Sequence, residues 1–190
     1  MGTIVITTNM SLDGVVQDPD GHEGFARGGW FEKFGGPDLA AWTELETNEA
    51  LAADALLLGR HSDEWFASRW TNRTGAWADT LNGLPKYVVS SSVESPRWTN
   101  ATVLGGELVK EVTELKNIHE GEILVYASYP LVRDLLEHGL ADELRLVVFP
   151  VLLGAGDRLF GDTADPQRLR LIHARTLGDN LTYLSYAVVH

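Results

Sequence analysis

The sequence predicts an α/β protein whose mostly parallel sheet is layered between helices and finished by antiparallel C-terminal strands. Three observations predict it. Short apolar, β-branched runs alternate with helical segments through the first part of the chain, and strands joined through helices cross over and lie parallel. The last two extended runs, 168–176 and 181–189, have no helical segment between them and so pair antiparallel. At 190 residues, 44% hydrophobic and 22% charged, the chain fits one domain, 1–190, able to bury a core without metals or disulfides.

Taken in order, residues 3–8 are apolar and β-branched and form a first strand, which leaves the core at the turn Leu12-Asp13-Gly14. Residues 21–37 are crowded with glycine and aromatics and read as a long functional loop. A helix over 38–53 places Leu39, Trp42, Leu45 and Ala52 roughly along one side, with Asp38 as its cap. Residues 55–58 are a buried strand ended by Gly59, and Ser62-Asp63-Glu64 opens a short helix through Trp65 and Phe66. Residues 86–89 form a second core strand running into Ser90-Ser91-Ser92, and 101–104 a short third one. In the helix 107–117, Leu108, Val109, Val112 and Leu115 make one stripe. The strand 123–126 follows, then a helix with Ser128 as cap, Pro130 in its first turn and Gly139 as its stop. Residues 144–153 complete the set as an apolar strand.

Composition excludes several classes of function. The start, MGTIVITTNMSLDG, has no basic region or small-residue cleavage site and reads as a strand, so a cytoplasmic location is expected. With no cysteine there is no disulfide, thiolate nucleophile or Cys-based zinc site. A net charge of −12 argues against nucleic acid as a partner, because a nucleic-acid face must be basic. No apolar run approaches the roughly 18–20 residues of a membrane span. An anionic cofactor stays possible where helix N-termini and a few arginines make the field locally positive.

The motifs each carry two readings. Asp13-Gly14 is either a plain hairpin turn or a carboxylate at the end of the first strand, facing a cleft. Gly59-Arg60-His61-Ser62 is either a strand end and helix cap or a cation and hydroxyl placed where an anion would sit. Ser90-Ser91-Ser92 is either a polar strand exit or a set of phosphate partners. Gly154-Ala155-Gly156 starts like a dinucleotide fingerprint, but Leu159 replaces the third glycine. The six histidines lack metal-ligand spacing, so no metal site is expected. The six tryptophans read as core and cleft wall, with Trp30 in its glycine-rich loop able to cover a planar ligand.

In order along the chain, Ser11-Leu12-Asp13-Gly14, Leu58-Gly59-Arg60, Pro85-Lys86-Tyr87-Val88-Val89-Ser90 and LVRDLLEHGLADELRLVVFPVLLGAGDRLF give it a resemblance to a known family. The chain resembles the dihydrofolate-reductase-like family that includes the C-terminal reductase domain of the riboflavin-pathway deaminase-reductase, and especially its stand-alone bacterial members. The resemblance spans nearly the whole chain. It implies a three-layer α/β/α dihydrofolate-reductase-like fold, NADPH as hydride donor, a small-molecule substrate that is pteridine-like or pyrimidine-like, and a homodimer; the activity expected is hydride transfer from NADPH to such a heterocycle or to a carbonyl compound. It also implies that Gly59, Arg60 and Ser62 receive phosphates, Ser90 and Ser91 lie near the adenosine 2′-phosphate, and Ala127, Ser128, Tyr129 and Pro130 form the pyrophosphate turn. Asp13 faces the substrate as proton donor, ahead of Glu23 and Glu32, while Trp30, Pro150 and Gly154 border the substrate cleft.

One departure bears on function. The family carries Gly-Gly or Gly-Ser at 127 and 128, and this chain has Ala-Ser followed by Tyr-Pro. Dinucleotide binding is therefore expected to be retained but weakened or shifted. The alternative is a dimeric nucleotide or small-molecule binding module that keeps the fold without turnover. The homodimer also follows from the apolar segment 144–153 and the antiparallel C-terminal strands, which leave an edge that soluble proteins cover.

Overall fold

The computed structural model describes residues 1–92, 95–161 and 166–190. It has the three-layer α/β/α fold, with eight strands in the order β4-β3-β2-β5-β1-β6-β8-β7. The strands are β1 (Thr3–Ser11), β2 (Ala53–Gly59), β3 (Lys86–Val89), β4 (Ala101–Leu104), β5 (Glu122–Tyr126), β6 (Glu143–Phe149), β7 (Arg168–Leu177) and β8 (Leu181–Val189). The helices are α1 (Trp30–Gly35), α2 (Leu39–Ala52), α3 (Arg60–Trp70), α4 (Ala76–Gly83), α5 (Leu108–Ile118) and α6 (Tyr129–Glu137). Internal contacts divide the chain into two units: unit 1 is Met1–Ile6 with Glu46–Glu143, and unit 2 is Thr7–Leu45 with Leu144–His190.

Unit 1 is the parallel part. Ala55 to Leu58 of β2 are fully buried, as a central parallel strand covered on both faces requires. In register, Leu56 lies beside Lys86 of β3 and Leu124 of β5, and Val88 lies beside Val103 of β4. Leu56, Leu58 and Leu124 meet Trp70, Trp98 and Tyr126 in the core. Phe66 stacks on Trp98 with ring centres 5.2 Å apart and planes 7° from parallel. Lys86 is also buried: its Nζ donates to the carbonyls of Leu84 (2.7 Å) and Asn82 (3.1 Å) and lies 4.6 Å from the Trp98 ring centre. Burial pushes this amine's pKa down to about 8, against the opposing pull of the Asp63 charge.

Unit 2 packs Trp30, Leu45, Val147, Leu153 and Tyr183 around Phe149. Its β7–β8 hairpin is antiparallel, with a bulge between Leu171 and His173. The register puts Leu169, Leu171 and Ala174 on one face with Val188, Tyr186 and Leu184, and Arg168, Arg170, His173 and Arg175 on the other. All of β7 except Leu177 is exposed.

Several expectations need correction. Residues 21–37 contain α1, which starts at Trp30 after the left-handed Gly29 (φ 73°) and runs into a 3-10 turn over Gly36–Asp38. Asp38 does not serve as the cap of α2, because its carboxylate accepts the N–H groups of Asp179 (2.9 Å) and Asn180 (3.0 Å) at the β7–β8 turn. The helix after Gly59 begins at once with Arg60 and extends to Trp70. Helix α4 was not expected. The apolar run 144–153 stops being a strand at Phe149, just before Pro150.

Candidate functional site

Unit 1 supplies two adjacent strand-to-helix turns. β2 and β5 are parallel neighbours, so Gly59-Arg60 and Ala127-Ser128-Tyr129 leave the same edge of the sheet, each opening a helix. Helix first turns carry N–H groups without intrahelical partners, and ligands of parallel sheets bind beyond the carboxyl ends of the strands. The glycine-type turn is kept without the glycines. Ala127 has φ 49° and Ser128 φ 57°, both left-handed, a conformation that costs non-glycine residues about 1–2 kcal/mol each.

Ser128 stands at the N-cap position of α6, yet its hydroxyl does not cap that helix. Instead the Gly59 N–H donates to Ser128 Oγ (2.9 Å), and the Ser128 hydroxyl donates to Ser62 Oγ (2.8 Å). Ser62 and Ser128 are both buried. This network fastens the two turns together, and it commits the Gly59 N–H and the Ser128 hydroxyl proton that the sequence offered to a phosphate. Arg60 is exposed beside His61, 3.4 Å away, and its guanidinium stays open to a ligand. Ser90 is half-buried and accepts the Ser92 N–H (3.2 Å), while Ser91, like Pro130, is exposed; Ala127 and Tyr129 are half-buried.

In unit 2, Asp13 meets the loop after β6. Its two carboxylate oxygens accept the N–H groups of Leu153 (3.0 Å) and Gly154 (2.7 Å), and the Ser11 hydroxyl donates to it at 2.6 Å. Burial alone would raise its pKa, but these hydrogen bonds outweigh burial and hold the carboxyl down at about 2. Ionised and held by these bonds, Asp13 anchors the loop after β6. Glu23 and Glu32 are exposed.

Trp30 is only 1% exposed, its Nε1 donates to the Gln17 carbonyl (2.9 Å), and its ring meets Phe149 edge-on at 5.2 Å. It forms part of a wall. That wall belongs to a cavity of about 450 Å³, also lined by Arg27, Lys33, Phe34, Val151 and Leu152. Pro150 and Gly154 are exposed in the adjoining loop, where Gly154 has φ 71°. Arg27 donates from its guanidinium to the Leu153 carbonyl, and Lys33 Nζ lies 5.2 Å from the Phe34 ring centre. Sequence reasoning missed Arg27 and Lys33. The available signal was two cations flanking Trp30 in a chain of net charge −12. Among the described residues no three His, Asp or Glu side chains converge as metal ligands, and no helix is long and apolar enough to cross a membrane.

A parallel sheet with paired strand-to-helix turns and an antiparallel C-terminal hairpin defines a protein of the dihydrofolate-reductase-like class. More narrowly, the chain belongs to the RibD C-terminal domain family, whose model matches residues 2–183. It is similar to the uncharacterized protein YyaP of Bacillus subtilis, 30% identical over 101 residues that make up 53% of each chain, so the match spans about half the length of that relative. A Shewanella sp. PV-4 structure named for riboflavin biosynthesis matches with a TM-score of 0.76 and 21% identity over 99% of both chains. The dihydrofolate reductase of Enterococcus faecalis, complexed with NADP(H), matches with a TM-score of 0.63 and 12% identity over 99% of this chain and 97% of that one.

Proposed function

We propose that the chain is an NADPH-dependent reductase acting on a small heterocyclic or carbonyl substrate. The observation that carries this reading is the pair of turns in unit 1. They keep a left-handed, glycine-like path through Ala127 and Ser128 at a cost in strain, and they lie beside an open Arg60. The likeness to an NADP(H)-bound dihydrofolate reductase supports the same cofactor.

The residues present fit such a group. Arg60 and the first-turn N–H groups of α3 would hold phosphate oxygens, as would the N–H of Tyr129, while Pro130 has none to give. Bound NADPH would supply the hydride. Asp13, ionised, would keep the 153–154 loop in place, and the proton would come from another group or from water. In unit 2, the cavity beside Arg27 and Lys33 would take the substrate, whose apolar part would lie against Phe34, Val151 and Leu152.

The test is a fluorescence titration with NADPH followed by a panel of heterocyclic and carbonyl oxidants. Binding and oxidation support the reductase. Binding without any oxidation supports a second reading, a non-catalytic small-molecule module, which is favoured by the loss of the Gly59 N–H and Ser128 hydroxyl to internal bonds.

The protein would act as a cytoplasmic homodimer. The apolar β7–β8 face, where Leu169 is 38% and Leu171 52% exposed, is the surface a second copy would cover. Light scattering should report twice the 20.9 kDa chain mass, and Leu171→Asp should return it to the single mass.

A further inference from the structure

Six of the eight cationic side chains of unit 1 are engaged. Lys86 is spent on carbonyls, Lys116 pairs with Asp142 at 2.7 Å, and Lys110 reaches Glu114 at 3.9 Å. Arg69 and Arg73 lie over the Trp65 and Trp70 rings, 4.3 and 4.7 Å from their centres, and Arg133 is engaged as well. Arg60 and Arg97 remain: both are exposed, and among the described residues neither guanidinium has a carboxylate partner.

The same element fixes both. Asp63 follows Arg60 by three residues on α3, so the two share a helix face. The buried Asp63 carboxylate accepts the backbone N–H of Arg97 at 2.6 Å and that of Trp98 at 3.0 Å. Trp98 is wedged in turn: its ring stacks on Phe66, and its Nε1 donates to Asn82 Oδ1 at 2.7 Å. Position 97 therefore combines a clamped backbone with an exposed cationic side chain that has no carboxylate partner among the described residues, close to the start of α3. An uninvolved surface arginine does not require a buried carboxylate beneath its backbone, whereas a ligand contact gains from such preorganisation.

We infer that Arg97 is a specificity-determining residue, the second cation after Arg60 for a dianionic phosphate, and that Asp63 is the positioning residue that presents it. This rests on the reading that unit 1 holds a dinucleotide. On that reading the phosphate is the 2′-phosphate that separates NADPH from NADH.

The experiment titrates the full chain with NADPH and with NADH at low salt, comparing the parent with Arg97→Gln, Arg97→Lys and Asp63→Asn. Arg97→Gln should weaken NADPH about 10- to 100-fold, the usual effect of losing a charge-assisted contact, and leave NADH within about twofold. Arg97→Lys should recover part of the loss. Asp63→Asn should lower the preference for NADPH several-fold with NADH binding retained, a ratio that general loosening of the fold would not move. Equal weakening of both cofactors by Arg97→Gln, or no change in either, overturns the inference while the dinucleotide reading stands. A parent protein that binds neither cofactor overturns both.

Discussion

The two units fasten the turns described above by different chemistry, with Asp63 on residues 97 and 98 as the exception in unit 1. In unit 1 the paired turns are fastened by neutral groups, the hydroxyls of Ser62 and Ser128 and the Gly59 N–H. In unit 2 ionised carboxylates do this work. Asp13 holds residues 153 and 154, Asp18 accepts the N–H groups of Glu23 and Phe25 at 2.9 Å each, and Asp38 holds residues 179 and 180. The Asp38 carboxyl is lowered by the Asp179 N–H first of all, and the Asp18 carboxyl is lowered by surrounding N–H groups against the effect of its burial. Unit 1 instead carries the buried amine of Lys86, with its pKa also lowered. Loops held by carboxylates are exposed to acid, whereas a buried amine responds to alkali, so pH should separate the Asp13, Asp18 and Asp38 loops from the surroundings of Lys86.

The largest effect is expected where a carboxylate and a left-handed glycine meet. Gly178 has φ 60°, and a Cβ there would collide with the Asp38 carboxylate. Gly178→Ala should cost about 3 kcal/mol, combining left-handed strain with the displaced anchor, as read from urea midpoints. A cost below about 1 kcal/mol would show that the β7–β8 turn does not depend on Asp38.

Asp13→Asn should come next, at about 1.5 kcal/mol, since one of two charge-assisted N–H bonds is lost. The sign of the pH effect follows from its lowered pKa. The stability Asp13 contributes is fully present above its unfolded pKa of about 4 and is lost as pH falls through the folded value of about 2. The acid limb of the parent's stability curve should therefore lie in that window and be shallower in Asp13→Asn. If turnover is found, its pH profile near neutrality should keep its shape in this variant.

Lys86 should give its signal at the other end of the pH scale. Its folded pKa of about 8 lies below the unfolded value of about 10.4, so between these limits the unfolded chain binds the extra proton and relative stability rises with pH. Lys86→Met should remove that rise, which thermal melts from pH 8 to 10 would show.

The smallest change is expected at Ala127. Glycine there would relieve left-handed strain but add freedom to the unfolded chain, for a net gain of about 0.5 kcal/mol in Tm-derived stability. A loss on melting would mean that the Ala127 methyl makes contacts worth more than the strain it introduces.

What the sequence revealed follows the range of the interactions. Strands 86–89 and 101–104 were found to the residue, because short apolar runs between turn signals are local information. Helix α4 was missed: its eight residues are too few to show a period. The site was legible in its turns but not in its bonds. That Asp13 would meet Leu153, 140 residues away, or that Ser128 would turn from its own helix to Gly59, depends on tertiary closeness that neither spacing nor composition encodes. What sets Arg97 apart, that with Arg60 it lacks the partner the six other Lys and Arg side chains of its unit have, is likewise tertiary.

The ten-residue β7 also bears on how the protein behaves when crowded. A strand at the rim of a sheet is a template on which like chains can add without end. Here the bulge near Ile172 breaks the even spacing of its donors and acceptors, and Arg168, Arg170 and Arg175 repel an identical strand laid alongside. Growth along the rim is discouraged at ordinary ionic strength, although the apolar face stays free to meet one partner and close. Near 1 M salt, where screening shortens to about 3 Å, the repulsion fades and only the bulge still guards against fibres.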